Sequence, residues 1–284
     1  MPACSGARRW PLAPAPSRSS SRISLSIAVG MPRTPIVGGN WKCNGDRKSL
    51  ATLICALNAG DVEGGVEVYV CPPDVYIDYT KALLRPDFAI AAQNCWKGAG
   101  GAFTGQVSAE MLVDIGLGWV LLGHSECRHT ISAGETSAYI AEKVKYAMDK
   151  GLNVIYAVGE KLEEREAGQA EEVVSAQMQA LLDAGVTGFG EKLVIAYEPV
   201  WAIGTGKVAT PEAAQEIHGF IRKWIAEKVG AEAAEATRIQ YGGSAKPENA
   251  AELAAQPDID GLLIGGAALT PGFIDCVNAF KIKL

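Results

Sequence analysis

The sequence predicts an α/β fold, a closed (β/α)8 barrel of eight parallel strands ringed by helices, and three observations predict it. From residue 34 onward, short apolar β-branched runs alternate with amphipathic stretches, eight times over 251 residues. The residues that follow the apolar runs are polar or glycine, as one rim of such a barrel requires. No G-x-G-x-x-G follows the first run, which counts against an open dinucleotide-binding sheet.

In chain order the expected strands are IVGGNW (36–41), EVYVC (67–71), AIAAQN (89–94), WVLLG (119–123), NVIYAV (153–158), LVIAY (193–197), RIQYG (238–242) and GLLIG (261–265). Each is short and nearly all apolar, the mark of a strand covered on both faces. Helices are expected between them, among others over 139–149, 170–182, 211–229 and 247–255. Thr210, Pro211 and Glu212 make a good helix start: a capping hydroxyl, a proline whose missing N–H costs nothing there, and an acid at the positive dipole end.

With 284 residues and 48% hydrophobic content the chain can bury about three quarters of its unfolded surface, so it needs no disulfides. Its seven cysteines show no C-x-x-C pair and no regular spacing, so neither a disulfide framework nor a zinc site is indicated. No apolar run approaches the ~20 residues that span a bilayer, so a soluble protein without membrane contact is expected. A net charge of −6 gives nucleic acid no general attraction, and an anionic partner would need a local cationic site.

Residues 1–33 differ from the rest, with five arginines, seven serines and no acid. That composition reads as an organelle transit peptide, plastid rather than mitochondrial, ahead of a barrel domain over 34–284. The alternative is a disordered upstream extension, with Met31 as the start of a cytoplasmic form.

The rim can be read from the strand ends: Asn40, Trp41 and Lys42 after the first strand, His124, Ser125 and Glu126 after the fourth, and Glu198 after the sixth. Gly242, Gly243 and Ser244 follow the seventh strand, and Gly265 and Gly266 the eighth. In AYEPVWAIGTGK (196–207), Pro199 stops the strand after Glu198, and Gly204 and Gly206 permit the backbone angles of a hinged lid. Loops after the seventh and eighth strands commonly form a phosphate site from backbone N–H groups, here with the Ser244 hydroxyl, a Gly204 amide and the Lys42 charge. Ser125 and Glu126 read as a helix start that aims donors at His124. HSECRH lacks the H-E-x-x-H spacing, so no metal is expected. CPPD (71–74) and GEK (159–161) read as structural, and His129 and His218 as surface residues.

Five ordered motifs, VGGNWK (37–42), GHSE (123–126), YEPVWAIGTGK (197–207), YGGS (241–244) and GGAAL (265–269), resemble the triosephosphate isomerase family over essentially everything after the leader. The resemblance implies interconversion of dihydroxyacetone phosphate and D-glyceraldehyde 3-phosphate through an enediolate, without cofactor or metal, in glycolysis, gluconeogenesis or the photosynthetic carbon cycle. It implies Glu198 as base, His124 as neutral electrophile and Lys42 as the cation stabilising enediolate and phosphate. It further implies Asn40 as substrate-orienting, Glu126 as an anchor, Gly204, Ser244, Gly265 and Gly266 as the phosphate cradle, and Tyr241 with Ser244 as lid latches. CWKGAGGAFTGQVS, opening on Cys95 and closing on Ser108, resembles the family's dimer loop, with Thr104 entering a second subunit near Cys43. The chain departs from the family at Cys127, commonly arginine, at Ala157, commonly cysteine, and over 129–137, about two residues longer. Two other classes use the same residues: a Schiff-base aldolase on Lys42, and a phosphometabolite binder without chemistry.

Overall fold

Eight strands are present: β1 (Ile36–Asn40), β2 (Glu67–Cys71), β3 (Phe88–Ala92), β4 (Trp119–Leu122), β5 (Asn153–Val158), β6 (Leu193–Tyr197), β7 (Ile239–Tyr241) and β8 (Gly261–Ile264). They pair in parallel in sequence order, and β8 returns to β1, from Ile36 opposite Gly261 to Gly39 opposite Ile264, so the barrel closes. The (β/α)8 expectation holds. The structure, a computed structural model, describes residues 33–131, 134–203 and 209–283. The leader up to Pro32, residues 132 and 133 of the longer segment, and Gly204 with the rest of 204–208 lie outside the described residues.

Three strands have the expected bounds and five do not. Trp41, Gln93, Gly123, Gly242 and Gly265 were expected inside strands and lie beyond them, in the rim. The chain runs on toward the rim for a residue or two past the paired strand, so the sequence run overshoots the ladder.

Side chains alternate across the barrel wall. Ile36, Tyr69, Ala91, Trp119, Leu121, Ile155, Val194, Ala196 and Leu263 belong to an inner cluster. Val37, Val68, Val70, Val120, Leu122, Val154, Tyr156 and Ile195 belong to the outer layer packed on the helices. Gly38 is bare for a reason: a Cβ there would lie 1.9 Å from Tyr69 Cζ. The Tyr69 hydroxyl donates to Gln240 Oε1 at 2.9 Å, and Gln240 Nε2 donates to the carbonyls of Ile36 and Leu262 at 2.9 and 3.0 Å. These polar atoms inside the barrel are therefore satisfied, as buried groups must be.

The helix Pro211–Lys228 starts as expected, with the Thr210 hydroxyl accepting from the Ala213 N–H and Pro211 in the first turn. Its buried stripe is Ala214, Ile217, His218, Ile221, Trp224 and Ile225, which corrects the reading of His218 as a surface residue. The His218 ring is fully buried edge-on to Tyr197 at 5.8 Å, with Nδ1 3.1 Å from the Asp258 carbonyl. A carbonyl only accepts, so Nδ1 carries the proton. His129 is exposed, as expected.

At the end opposite the rim, Arg222 Nη2 donates to Asp260 Oδ2 at 2.7 Å and Arg33 Nε donates to Asp260 Oδ1 at 2.8 Å. Arg222 also pairs with Asp258, and Arg33 with Glu235. Arg33, grouped with the leader by composition, thus ties the start of the described chain to the strand bottoms.

Candidate active site

The end of β1 turns sharply. Lys42 has φ 51°, the left-handed region, and is the one non-glycine residue among those described with a positive φ. Three side chains support the turn. Asn40 Oδ1 accepts from the Lys42 N–H at 2.9 Å, Gln93 Nε2 donates to the carbonyls of Lys42 and Cys71 at 2.9 and 2.8 Å, and Asn44 Nδ2 donates to the Trp41 carbonyl at 2.8 Å. The turn sends the Lys42 ammonium across the mouth to Glu126, 2.7 Å from Oε1.

After β4, Gly123 has φ +78° and His124 then caps the helix Ser125–His129. The expected helix start is present, and the Glu126 N–H donates to His124 Nδ1 at 3.2 Å. Accepting at Nδ1 places the imidazole proton on Nε2, the nitrogen that faces the mouth. Nε2 lies 3.1 Å from Glu198 Oε1. Glu198, first residue after β6 and 2% exposed, accepts from the Ser125 N–H at 3.0 Å through Oε2. A buried carboxylate is thereby held by two donors from one short helix start.

Asn40, Lys42, His124, Glu198, Ser244, Gly265 and Gly266 line one cavity of about 200 Å³. Ile203 and Leu263 supply its apolar wall. Tyr241 lies outside this cavity, fully buried against the backbone of Ala209, and burial pushes its hydroxyl up to about 12, with the Ala209 backbone acting the other way. The Ser244 hydroxyl donates to the Ala202 carbonyl at 2.6 Å. Gly204 falls outside the described residues. Among the described residues no cluster of three or more His, Cys, Asp or Glu could hold a metal ion, and no helix is long and apolar enough to cross a membrane.

Sequence reading missed several residues around the site. Gln93 was drawn as strand, although its place after AIAA put an amide on the rim. Glu160 has the structural place read for it: fully buried and off the cavity lining, it accepts from the Tyr197 hydroxyl at 3.0 Å and Trp201 Nε1 at 2.8 Å. Arg128 donates to the carbonyls of Gly123 and Ala157 at 2.7 and 2.9 Å and so braces the strand before His124. Beside it, Cys127 faces the Asn94 amide, and burial pushes its thiol up to about 11, so little thiolate forms at neutral pH. Lys143 Nζ pairs with Glu135 Oε1 at 2.5 Å.

A buried carboxylate, an imidazole N–H and an ammonium around one small cavity can remove a proton beside a carbonyl and hold the resulting oxyanion. Comparison with known proteins leads to the same chemistry. The family model described as triosephosphate isomerase matches residues 35–280. The cytosolic triosephosphate isomerase of Oryza sativa subsp. japonica is 52% identical over 255 residues, covering 89% of this chain and 99% of that protein. The chloroplastic triosephosphate isomerases of Arabidopsis thaliana and Fragaria ananassa are 52% and 50% identical over 270 and 268 residues, covering 94% and 93% of this chain and 84% of each relative. With the barrel closed, the rim residues gathered and half of all aligned positions identical, the chain belongs to the triosephosphate isomerase family.

Proposed function

We propose that Glu198 is the base and His124 the electrophile of the family's reaction, the interconversion of dihydroxyacetone phosphate and D-glyceraldehyde 3-phosphate. The chain is an aldose-ketose isomerase of that class. The observation that carries the residue roles is the 3.1 Å approach of Glu198 Oε1 to His124 Nε2 in a cavity that also holds the Lys42 ammonium.

The substrate carbonyl oxygen takes the place of Glu198 Oε1 as acceptor from His124 Nε2–H, and the carboxylate leaves the Ser125 N–H to reach the carbon beside it. Glu198 takes a proton from C1, and the electron pair moves onto the C2 oxygen, which His124 and Lys42 stabilise as an enediolate. The protonated Glu198 then delivers a proton to C2 while a proton passes between the two oxygens, which completes the exchange of aldehyde and ketone. Asn40 orients the substrate oxygens, Glu126 anchors Lys42, and Ser244, Gly265 and Gly266 receive the phosphate. The aldolase reading is disfavoured because the Lys42 ammonium is already engaged by Glu126.

The loop over 95–108 is read as the contact of a homodimer. Phe103 is half-exposed at its tip against Trp96, ring centroids 4.6 Å apart. Such apolar groups on a glycine-rich excursion fit a second subunit. Sedimentation equilibrium of the chain and of a Thr104→Arg variant tests this: dimer for the first, monomer for the second. The leader is read as a plastid transit peptide; two of the relatives are named chloroplastic and one cytosolic. A fluorescent protein fused behind residues 1–33 tests it by the compartment it enters.

The function is tested by a coupled triose phosphate assay on the protein lacking its leader, with a chelator present. Turnover unaffected by chelator is expected. No turnover with either triose phosphate would overturn the reading, and turnover lost with the chelator would overturn its metal-free form.

A further inference from the structure

The backbone around Glu198 is held from one side by the end of β5 and the two residues after it. The Val158 carbonyl accepts from the Glu198 N–H at 2.7 Å, and the Glu160 carbonyl accepts from the Val200 N–H at 3.0 Å. Gly159, between them, presses on the same residue. A Cβ on Gly159 would lie 1.8 Å from the Glu198 carbonyl oxygen and 2.6 Å from its carbon. The φ of Gly159 is not in the left-handed region, so close approach, not backbone angle, requires glycine there. Where the Gly159 peptide sits therefore decides where Glu198 can sit.

One outer side chain holds that residue by both of its backbone groups. Gln177, on the helix Ala170–Asp183, accepts from the Gly159 N–H at 2.8 Å through Oε1 and donates to the Gly159 carbonyl at 3.0 Å through Nε2. Gln177 is buried, and its own carbonyl accepts from the Tyr156 hydroxyl at 2.7 Å, which ties the helix to β5 a second time. An amide is the side chain this place needs, since it offers a donor and an acceptor at once.

We infer that Gln177 is a positioning residue for the proton transfer: from the outer layer, through Gly159, it sets how far the Glu198 carboxylate reaches into the mouth. The inference rests on the reading of Glu198 as the base. The hydrogen bonds of Gln177 go to Gly159 and Tyr156, neither of which lines the cavity, so its loss acts on turnover and not on substrate capture. Displacement of a reacting group by 1 Å costs on the order of 10²-fold, and a shift of a few tenths of an ångström costs about tenfold.

The test compares kcat and KM for Gln177→Met, which removes both hydrogen bonds at similar length, in two backgrounds: the parent and Glu198→Asp. The expected result is a kcat loss of about tenfold with KM within about twofold in the parent, and a loss under about twofold in Glu198→Asp, where the carboxylate is already out of place. Gln177→Glu keeps the acceptor for the Gly159 N–H and loses the donor; it is expected to fall between parent and Gln177→Met, and it carries the same comparison if Gln177→Met does not fold. Unchanged kcat, a loss carried by KM, or an equal loss in both backgrounds would overturn the inference while the isomerase reading stands. A parent protein with no triose phosphate turnover would overturn both.

Discussion

The ammonium of Lys42 meets Glu126 Oε1 at 2.7 Å from a backbone held at φ 51°. The cation is thus fixed in the mouth before substrate arrives, by a carboxylate that is itself partly exposed and can yield to a stronger anion. An acidic protein that binds a phosphorylated sugar has few alternatives to such a local charge.

Lys42→Met should therefore raise KM and lower kcat together, because in the proposed mechanism the same charge serves the phosphate and the developing enediolate. Loss of one preorganised oxyanion partner costs roughly 10²- to 10³-fold in rate. Steady-state kinetics check this, and a variant with unchanged KM would show that the ammonium does not meet the phosphate.

Glu198→Asp draws the carboxylate back by roughly 1.5 Å, one carbon-carbon bond. It should lower kcat by roughly 10²-fold or more with the fold intact, since reach and not burial is what changes. Near-normal turnover would end the assignment of Glu198 as base.

Legibility differed between fold and site for physical reasons. The eight strands were readable because a parallel barrel buries both faces of each strand, which leaves short apolar runs such as LVIAY. That Glu198, His124 and Lys42 share one rim was readable because each follows an expected strand directly. Gln93, Gln177 and Gln240 were not, because each amide satisfies backbone groups far away in sequence: Lys42, Gly159 and Ile36. His218 could have been found, since it shares the i, i+3, i+4 stripe of Ala214, Ile217 and Ile221.

Gln93→Met should destabilise the protein although Gln93 does not itself line the cavity. It leaves the Lys42 carbonyl without the Nε2 donor, while the Cys71 carbonyl keeps the Trp41 N–H, so one unsatisfied group at ~1 to 3 kcal/mol is the expected cost. Urea denaturation checks it; a change below about 0.5 kcal/mol would mean that water replaces the amide.

Glu160 carries a pH signature. Burial raises its carboxyl above the ordinary 4.5, outweighing the hydrogen bonds from Trp201 and Tyr197 that act the other way. A raised carboxyl contributes its stability fully below about pH 4.5, and the contribution is lost as pH rises through the folded value. Glu160→Gln keeps an acceptor and removes the buried charge, so the variant should gain on the parent as pH goes from 4 to 7. Denaturant midpoints across that range test it, and a gap that does not vary with pH would refute the account.

The ion network opposite the rim should matter far more than the ion pairs on the surface. Asp260 is 4% exposed in its side chain and is shared by Arg222, Arg33 and the Ile239 N–H, so Arg222→Met leaves a buried carboxylate short of a partner. Breaking a buried pair from one side costs about 3 to 5 kcal/mol. Lys145 and Asp149 also pair, but at 42% and 55% side-chain exposure, where water screens the attraction. Lys145→Met should therefore cost less than about 0.5 kcal/mol and depend on salt. Thermal unfolding of the two variants side by side decides the matter, since equal losses would mean that burial of Asp260 is not what gives its network its strength.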